Sequence, residues 1–287
     1  EEWLVDATVT FGNLEGPLCD GGSTDKCDGG SSCYAFRTPT RYGAYLRQAG
    51  FDVVSLANNH ALDFGEYCRE ETEATMDELG IAHSGRPGSV ATLERGGLRI
   101  GLIAFHTAPH SNWALDLDVA ADLVQAADED HDLVVVSFHG GAEGESALHT
   151  PDATEYFHGE DRGHLRAFAR TVIDAGADLV LGHGPHVPRA MEVYQGRLVA
   201  YSLGNFATYG RFSLRGSKGI SLVLEAQLDE EGRFVAGRIL PVRLVDGGFP
   251  VQDDQATSID LIRDLTAADF PNTGVTIDDD GWVHPAG

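Results

Sequence analysis

Five times in this chain a short apolar run stops on a cluster of Asn, His, Gly or Glu. Phe11 leads into Gly12-Asn13-Leu14-Glu15-Gly16-Pro17, and Val53-Val54-Ser55-Leu56 into Ala57-Asn58-Asn59-His60. Val134-Val135-Val136 precedes His139-Gly140-Gly141-Ala142-Glu143, and Leu179-Val180-Leu181 precedes Gly182-His183-Gly184-Pro185-His186. The fifth cluster is Ser202-Leu203-Gly204-Asn205-Phe206. Short continuous apolar runs read as strands buried on both faces. In open α/β sheets, ligands bind just beyond the carboxyl ends of such strands.

Between these runs lie helix patterns. Thr38 to Ala49, Glu66 to Leu79 and Arg162 to Ala175 each end on a glycine (Gly50, Gly80 and Gly176), the residue that closes helices in the left-handed conformation. Val119 to Ala127 reads as a fourth helix. Strands are expected over Val5–Phe11, Phe51–Ala57, Val90–Glu94, Leu98–Phe105, Asp132–Phe138 and Asp178–Leu181. The last third, with strands at Ala190–Tyr194, Leu198–Leu203, Ile220–Leu228 and Phe234–Val245, reads as an antiparallel meander. Neither a linker nor a repeat interrupts the pattern. The expectation is one layered α/β domain over residues 1–268, with two stacked sheets and outer helices. Residues 269–287, which carry Asp278-Asp279-Asp280, read as a loosely held acidic strap.

With 45 acidic and 20 basic residues the net charge is −25, a field that repels nucleic acid and anionic membranes. No stretch is apolar for long enough to span a bilayer. The sequence opens on Glu1-Glu2-Trp3 without an initiator Met and reads as a processed piece. Lys26 and Lys218 are its only lysines, a composition that a salty or calcium-rich medium and a GC-rich genome explain equally well. Cys19, Cys27 and Cys33 lie in a Gly/Ser/Asp-rich stretch that cannot pack a core, and Cys68 lies far downstream. Their spacings do not match a zinc ribbon, so two disulfides are favoured, and with them an oxidising, extracytoplasmic compartment. Cys68 is expected to pair with one cysteine of the polar stretch, and the other two to close a short ring.

Taken singly, each polar cluster reads as a cap or turn. Together, carboxylate, amide and imidazole groups at several strand ends point to divalent metal ions (Mn, Zn or Fe). Mixed O/N sites of this kind commonly hold two ions about 4 Å apart for hydrolysis.

Asn-Leu-Glu-Gly-Pro, Leu-Ala-Asn-Asn-His-Ala-Leu-Asp-Phe-Gly, His-Gly-Gly-Ala-Glu, Gly-Ala-Asp-Leu-Val-Leu-Gly-His-Gly-Pro-His-Val and Tyr-Ser-Leu-Gly-Asn-Phe, in this order from about Asp6 to Phe206, resemble the signatures of the CapA poly-γ-glutamate capsule family. That family is related to calcineurin-like metallophosphoesterases, so the resemblance implies an α/β/β/α sandwich with a two-metal centre at its strand ends. Carried over, it implies that Glu15 stands where the phosphoesterases place a metal-bridging Asp, and that Asn59, His139 and His183 are metal ligands. His186 matches the last His of a Gly-His-x-His motif, displaced here by one extra residue. His60 would protonate the leaving oxygen or steady the transition state, and Glu143 would act as a further ligand or base. The family's first Gly-Asp strand, whose Asp holds one metal, is absent from this sequence, and Asp6 is a poor substitute. The expectation is therefore two metals in a chain that carries that strand, and one or none here.

His83, His110, His131, His149, His158, His164 and His284 lie outside the motifs and read as surface residues, whereas His106 follows a strand and could face the site. Gly204-Asn205 would cap the pocket. The leading functional expectation is an extracytoplasmic metal-dependent hydrolase of capsule or exopolymer metabolism. Its substrate would be a phosphoester or an anionic γ-glutamyl polymer, and other capsule-synthesis proteins would be its partners. The alternative is a non-catalytic binding, anchoring or export factor with a degenerate site.

Overall fold

A strand such as Leu133–His139, buried on both faces, needs a sheet with cover on each side. The computed structural model, which describes residues 4, 7–27, 33–210 and 212–286, provides one. Three short parallel strands come first: β1 (Phe11–Asn13), β2 (Val53–Ser55) and β3 (Ala82–Ser84). The central sheet follows with β4 (Ala91–Arg95), β5 (Leu98–His106), β6 (Asn112–Trp113) and β7 (Leu133–His139). After a small hairpin, β8 (Tyr156–Phe157) and β9 (Glu160–Asp161), it adds β10 (Leu179–His183), β11 (Met191–Tyr194) and β12 (Arg197–Ala200). Its order is β11-β12-β10-β7-β5-β4, with β6 beside β5. The inner neighbours β12, β10, β7 and β5 run parallel, so their carboxyl ends share one edge.

A third sheet joins β13 (Ile220–Leu228), β14 (Phe234–Val245), β15 (Phe249–Gln252), β16 (Thr276–Ile277) and β17 (Trp282–His284). Helices are α1 (Gly43–Ala49), α2 (Gly65–Leu79), α3 (Leu117–Asp128), α4 (Leu165–Asp174) and α5 (Thr257–Asp269). In α4, Leu165, Phe168, Ala169, Val172 and Ile173 recur at helical spacing and bury one stripe, which packs with Val124 of α3 against Val134, Val136 and Val180. On the opposite face, Leu179, Leu181 and Leu198 meet Leu222, Ile239 and Val283 of the third sheet and Ile259 and Ile262 of α5. The layered α/β architecture is the one expected from the sequence.

Several local expectations are corrected. The strand expected over Val5–Phe11 begins only at Phe11; Val5 and Asp6 lie outside the described residues. The meander is divided between two sheets. Leu198, Val199 and Ala200 are apolar and fully buried, so β12 inserts beside β10 in the central sheet instead of pairing with β13. The segment after Asp269 is no loose strap: Phe270, Val275, Ile277 and Val283 are buried, and β17 pairs with β14. Burying four apolar side chains holds it in place, each contributing roughly 1.5–3 kcal/mol. Arg162 precedes α4, because His164 caps that helix by accepting from the Ala167 amide. The disulfides are Cys19–Cys68 and Cys27–Cys33, as expected.

Candidate functional site

The parallel register aligns three histidines at the carboxyl ends of adjacent strands: His106 opposite His139, and His139 opposite His183. The loops after these strands pack backbone against backbone, with the Gly140 amide donating to His183 O at 2.9 Å. Gly184 permits this approach: a Cβ there would stand 2.5 Å from Gly140 O, and its φ is +117°. The chain then turns through Pro185 into His186, which adopts a left-handed φ of 59°. That turn absorbs the extra residue of the motif and returns the imidazole to the strand ends.

Glu15, just beyond β1, is the hub. Its Oε1 lies 3.6 Å from His186 Nε2, 3.8 Å from His139 Nε2 and 4.0 Å from His60 Nε2. Glu143 Oε2 lies 3.9 Å from His186 Nε2. His183 stands beside His139 in register, with its ring edge-on to Phe11 at 5.7 Å, and makes no ion pair with Glu15 among the described residues. The two asparagines divide their work. Asn58 is structural: its side chain donates to Leu14 O and accepts from the His60 amide. Asn59 keeps its Oδ1 buried and, among the described residues, without a partner.

His60, Glu15, Glu143, His139 and His186 are thus brought to one place, with His183 alongside and Asn59 next to His60 in the chain. Sequence reasoning missed Asp63. Its Oδ2 accepts from His60 Nδ1 at 2.6 Å, leaving Nε2 to face Glu15, and its Oδ1 pairs with Lys26. An i, i+3 His/Asp pair within a turn was the available signal. Asn205, expected as a cap, accepts from His186 Nδ1 at 2.8 Å and so orients that ring. His110, expected at the surface, keeps its Nε2 buried, and its ring lies 5.7 Å from that of His106. His110 follows β5 in a turn that folds back over the strand end, which sequence spacing does not reveal.

Burial dominates the electrostatics. It pushes His106 down to about 3, partly offset by a hydrogen bond to His139 O, and pushes His183 down to about 4. It also holds His139 well below the ordinary imidazole range and lowers His110. These rings are therefore neutral at pH 7, the form that metals bind.

Two geometric facts bear on whether a divalent ion fits. Among the described residues, both ring nitrogens of His139, Nδ1 of His183 and Oδ1 of Asn59 are buried without partners, a cost of about 1–3 kcal/mol each that an incoming ligand would relieve. Against this, no three His, Cys, Asp or Glu side chains among the described residues stand close enough to hold an ion. Ligand atoms about 2.0–2.2 Å from a tetrahedral ion stand roughly 3.3–3.6 Å apart. Glu15 to its three imidazoles, at 3.6–4.0 Å, is wider by tenths of an ångström. The donor set fits a mixed O/N metal.

Fold and site together define an α/β protein whose histidines and acidic side chains converge at the carboxyl ends of parallel strands. Residues 1–209 match the family described as bacterial capsule synthesis protein PGA_cap, and the chain belongs to that family. It is 27% identical over 240 residues to the PGA biosynthesis protein CapA of Bacillus subtilis, covering 77% of this chain and 58% of that one. It is 28% identical over 181 residues to the capsule biosynthesis protein CapA of Bacillus anthracis, covering 56% and 41%. The chain therefore spans about half the length of the curated relatives it matches. Among solved structures it is similar to a 5'-nucleotidase precursor from Thermus thermophilus (13% identity, TM-score 0.43, covering 79% and 45%), a likeness too loose to carry chemistry.

Proposed function

We propose that this chain is an extracytoplasmic, metal-dependent hydrolase-like domain of capsule or poly-γ-glutamate biosynthesis. The observation that carries the reading is His139, 3.8 Å from Glu15 and buried with both ring nitrogens unpartnered among the described residues. Glu15, Asn59, His139, His183 and His186 would hold the divalent ion (Mn, Zn or Fe). When bound, such an ion supplies Lewis acidity and a water that ionises near neutral pH. His60, its Nδ1 tied to Asp63, presents Nε2 to protonate the leaving group. Glu143 stands across the cluster as a base. Two disulfides among the described residues agree with an oxidising compartment.

A second reading, a non-catalytic factor that binds, anchors or exports an anionic polymer, draws on one observation: His183 stands off Glu15, leaving the ligand set looser than a working centre needs. A pair of variants separates the two readings. His60→Ala should lower hydrolysis of an aryl phosphodiester or a γ-glutamyl polymer by about 10²- to 10⁴-fold and leave metal content intact. His183→Ala should lose metal and activity together. Wild-type protein that binds metal yet cleaves neither substrate would move the conclusion to the non-catalytic reading.

A further inference from the structure

Two arginines of this chain are equally buried and differently served. Arg189, 0% exposed, donates from Nη1 and Nη2 to Glu155, from Nε to Ala147 O and from Nη2 to Ala142 O. Arg162, 2% exposed, has no hydrogen-bond partner at Nε or Nη2 among the described residues. Its nearest carboxylates are Glu143 Oε1, 3.2 Å from Nη2 but off the hydrogen-bonding direction, and Glu160 Oε2, 3.7 Å from Nη1. Glu143 offsets the charge, but burying Nε and Nη2 without a hydrogen bond is expensive, so that edge calls for an explanation.

The vacant atoms are informative. Nε and Nη2 form the side edge of the guanidinium, the fork that receives a carboxylate or phosphate through two parallel hydrogen bonds. Glu143 lies over this edge, and its other oxygen is 3.9 Å from His186, so the edge opens onto the strand-end cluster. In a chain of net charge −25, two further cations approach the cluster, Lys26 while paired with Asp63. Lys26 Nζ lies 3.1 Å from Asn59 O, and Lys218 Nζ passes 3.8 Å from where a Cβ would stand on Gly144. The only two lysines of the sequence thus flank the same cluster from separate loops.

We propose that the Nε–Nη2 edge of Arg162 seats an oxyanion of the substrate, a carboxylate or phosphate that displaces Glu143 on binding. This rests on the reading above only in placing substrate at the strand ends. Glu143 then has two positions: over Arg162 in the free protein, and toward His186 when the seat is filled.

The test measures affinity for two probes, a labelled γ-linked glutamate hexamer and a non-cleavable phosphodiester analogue, with Mn²⁺ binding followed on the same samples. Arg162→Met should weaken binding of one probe about 10- to 100-fold, and that probe identifies the oxyanion. Arg162→Lys should lose about tenfold, because an ammonium keeps the charge but lacks the fork. Glu143→Gln should tighten binding, since it removes the competing carboxylate. Arg243→Met, which removes an exposed charge on β14, controls for the overall field. If Arg162→Met does not fold, the Lys and Gln variants still decide. Wild-type affinity in Arg162→Lys, no tightening in Glu143→Gln, or a loss no larger than that of Arg243→Met would each overturn the proposal. Mn²⁺ binding without Arg162 dependence sinks this inference alone. Arg162-dependent binding without Mn²⁺ sinks the metal reading and leaves the seat standing.

Discussion

Two regions of this molecule bury charged and polar side chains and serve them differently. On the side of α4 and β11, Glu192 is fully buried yet accepts from Arg170, Tyr201 and Thr273, while Arg189 and Glu155 saturate each other and pin the loop that carries Glu143. At the strand ends, His139, His183, Asn59 and Arg162 are buried with donors or acceptors left over. The first region shows that this fold can satisfy buried charge where charge serves structure. Under the proposed reading, the leftover groups of the second are the ones a bound ion or substrate would engage.

The comparison breaks most visibly through stability. Arg189→Met leaves Glu155 buried without its partner and should cost about 3–5 kcal/mol in urea unfolding. In metal-free protein, His139→Leu exchanges unpartnered nitrogens for apolar volume and should stay within about 1 kcal/mol of wild type. Equal losses from the two variants would erase the distinction between the regions.

A smaller effect should follow from pH. Burial holds His106 at about 3 and His183 at about 4 in the folded chain, against about 6.5 when unfolded. Below pH 6.5 the unfolded chain takes up protons that the folded chain refuses, so stability present above 6.5 is lost as pH falls toward these folded values. Between pH 7 and 5 most carboxylates stay ionised, so thermal melts of metal-stripped protein should fall by a few degrees there, and less in His106→Gln. A flat profile would mean that these rings are less buried than described.

Much of this was legible in the sequence, for identifiable reasons. Apolar runs that end on His139 and His183 mark strands of a parallel sheet, and the stripe from Leu165 to Ile173 marks α4. Helix α5 escaped because its cap lies upstream of its first turn: Asp253 accepts from the Thr257 amide, while the residue before the helix is Ala256 with a left-handed φ of 54°. Arg162 read as helix because only the tertiary setting reveals that His164 starts α4. His106 was marked by the strand it ends, whereas Asp63 and His110 come to these strand ends through turns that one-dimensional spacing does not encode.

The central claim, that the partnerless groups at the strand ends hold a divalent ion, is tested most directly by metal content. Wild-type protein and His139→Ala would be equilibrated with Mn²⁺ or Zn²⁺, desalted and assayed by elemental analysis. The account predicts stoichiometric metal in the wild type and a loss of at least about tenfold in affinity in the variant, since a direct ligand is removed. Metal retained equally by both proteins, or by neither, would contradict it.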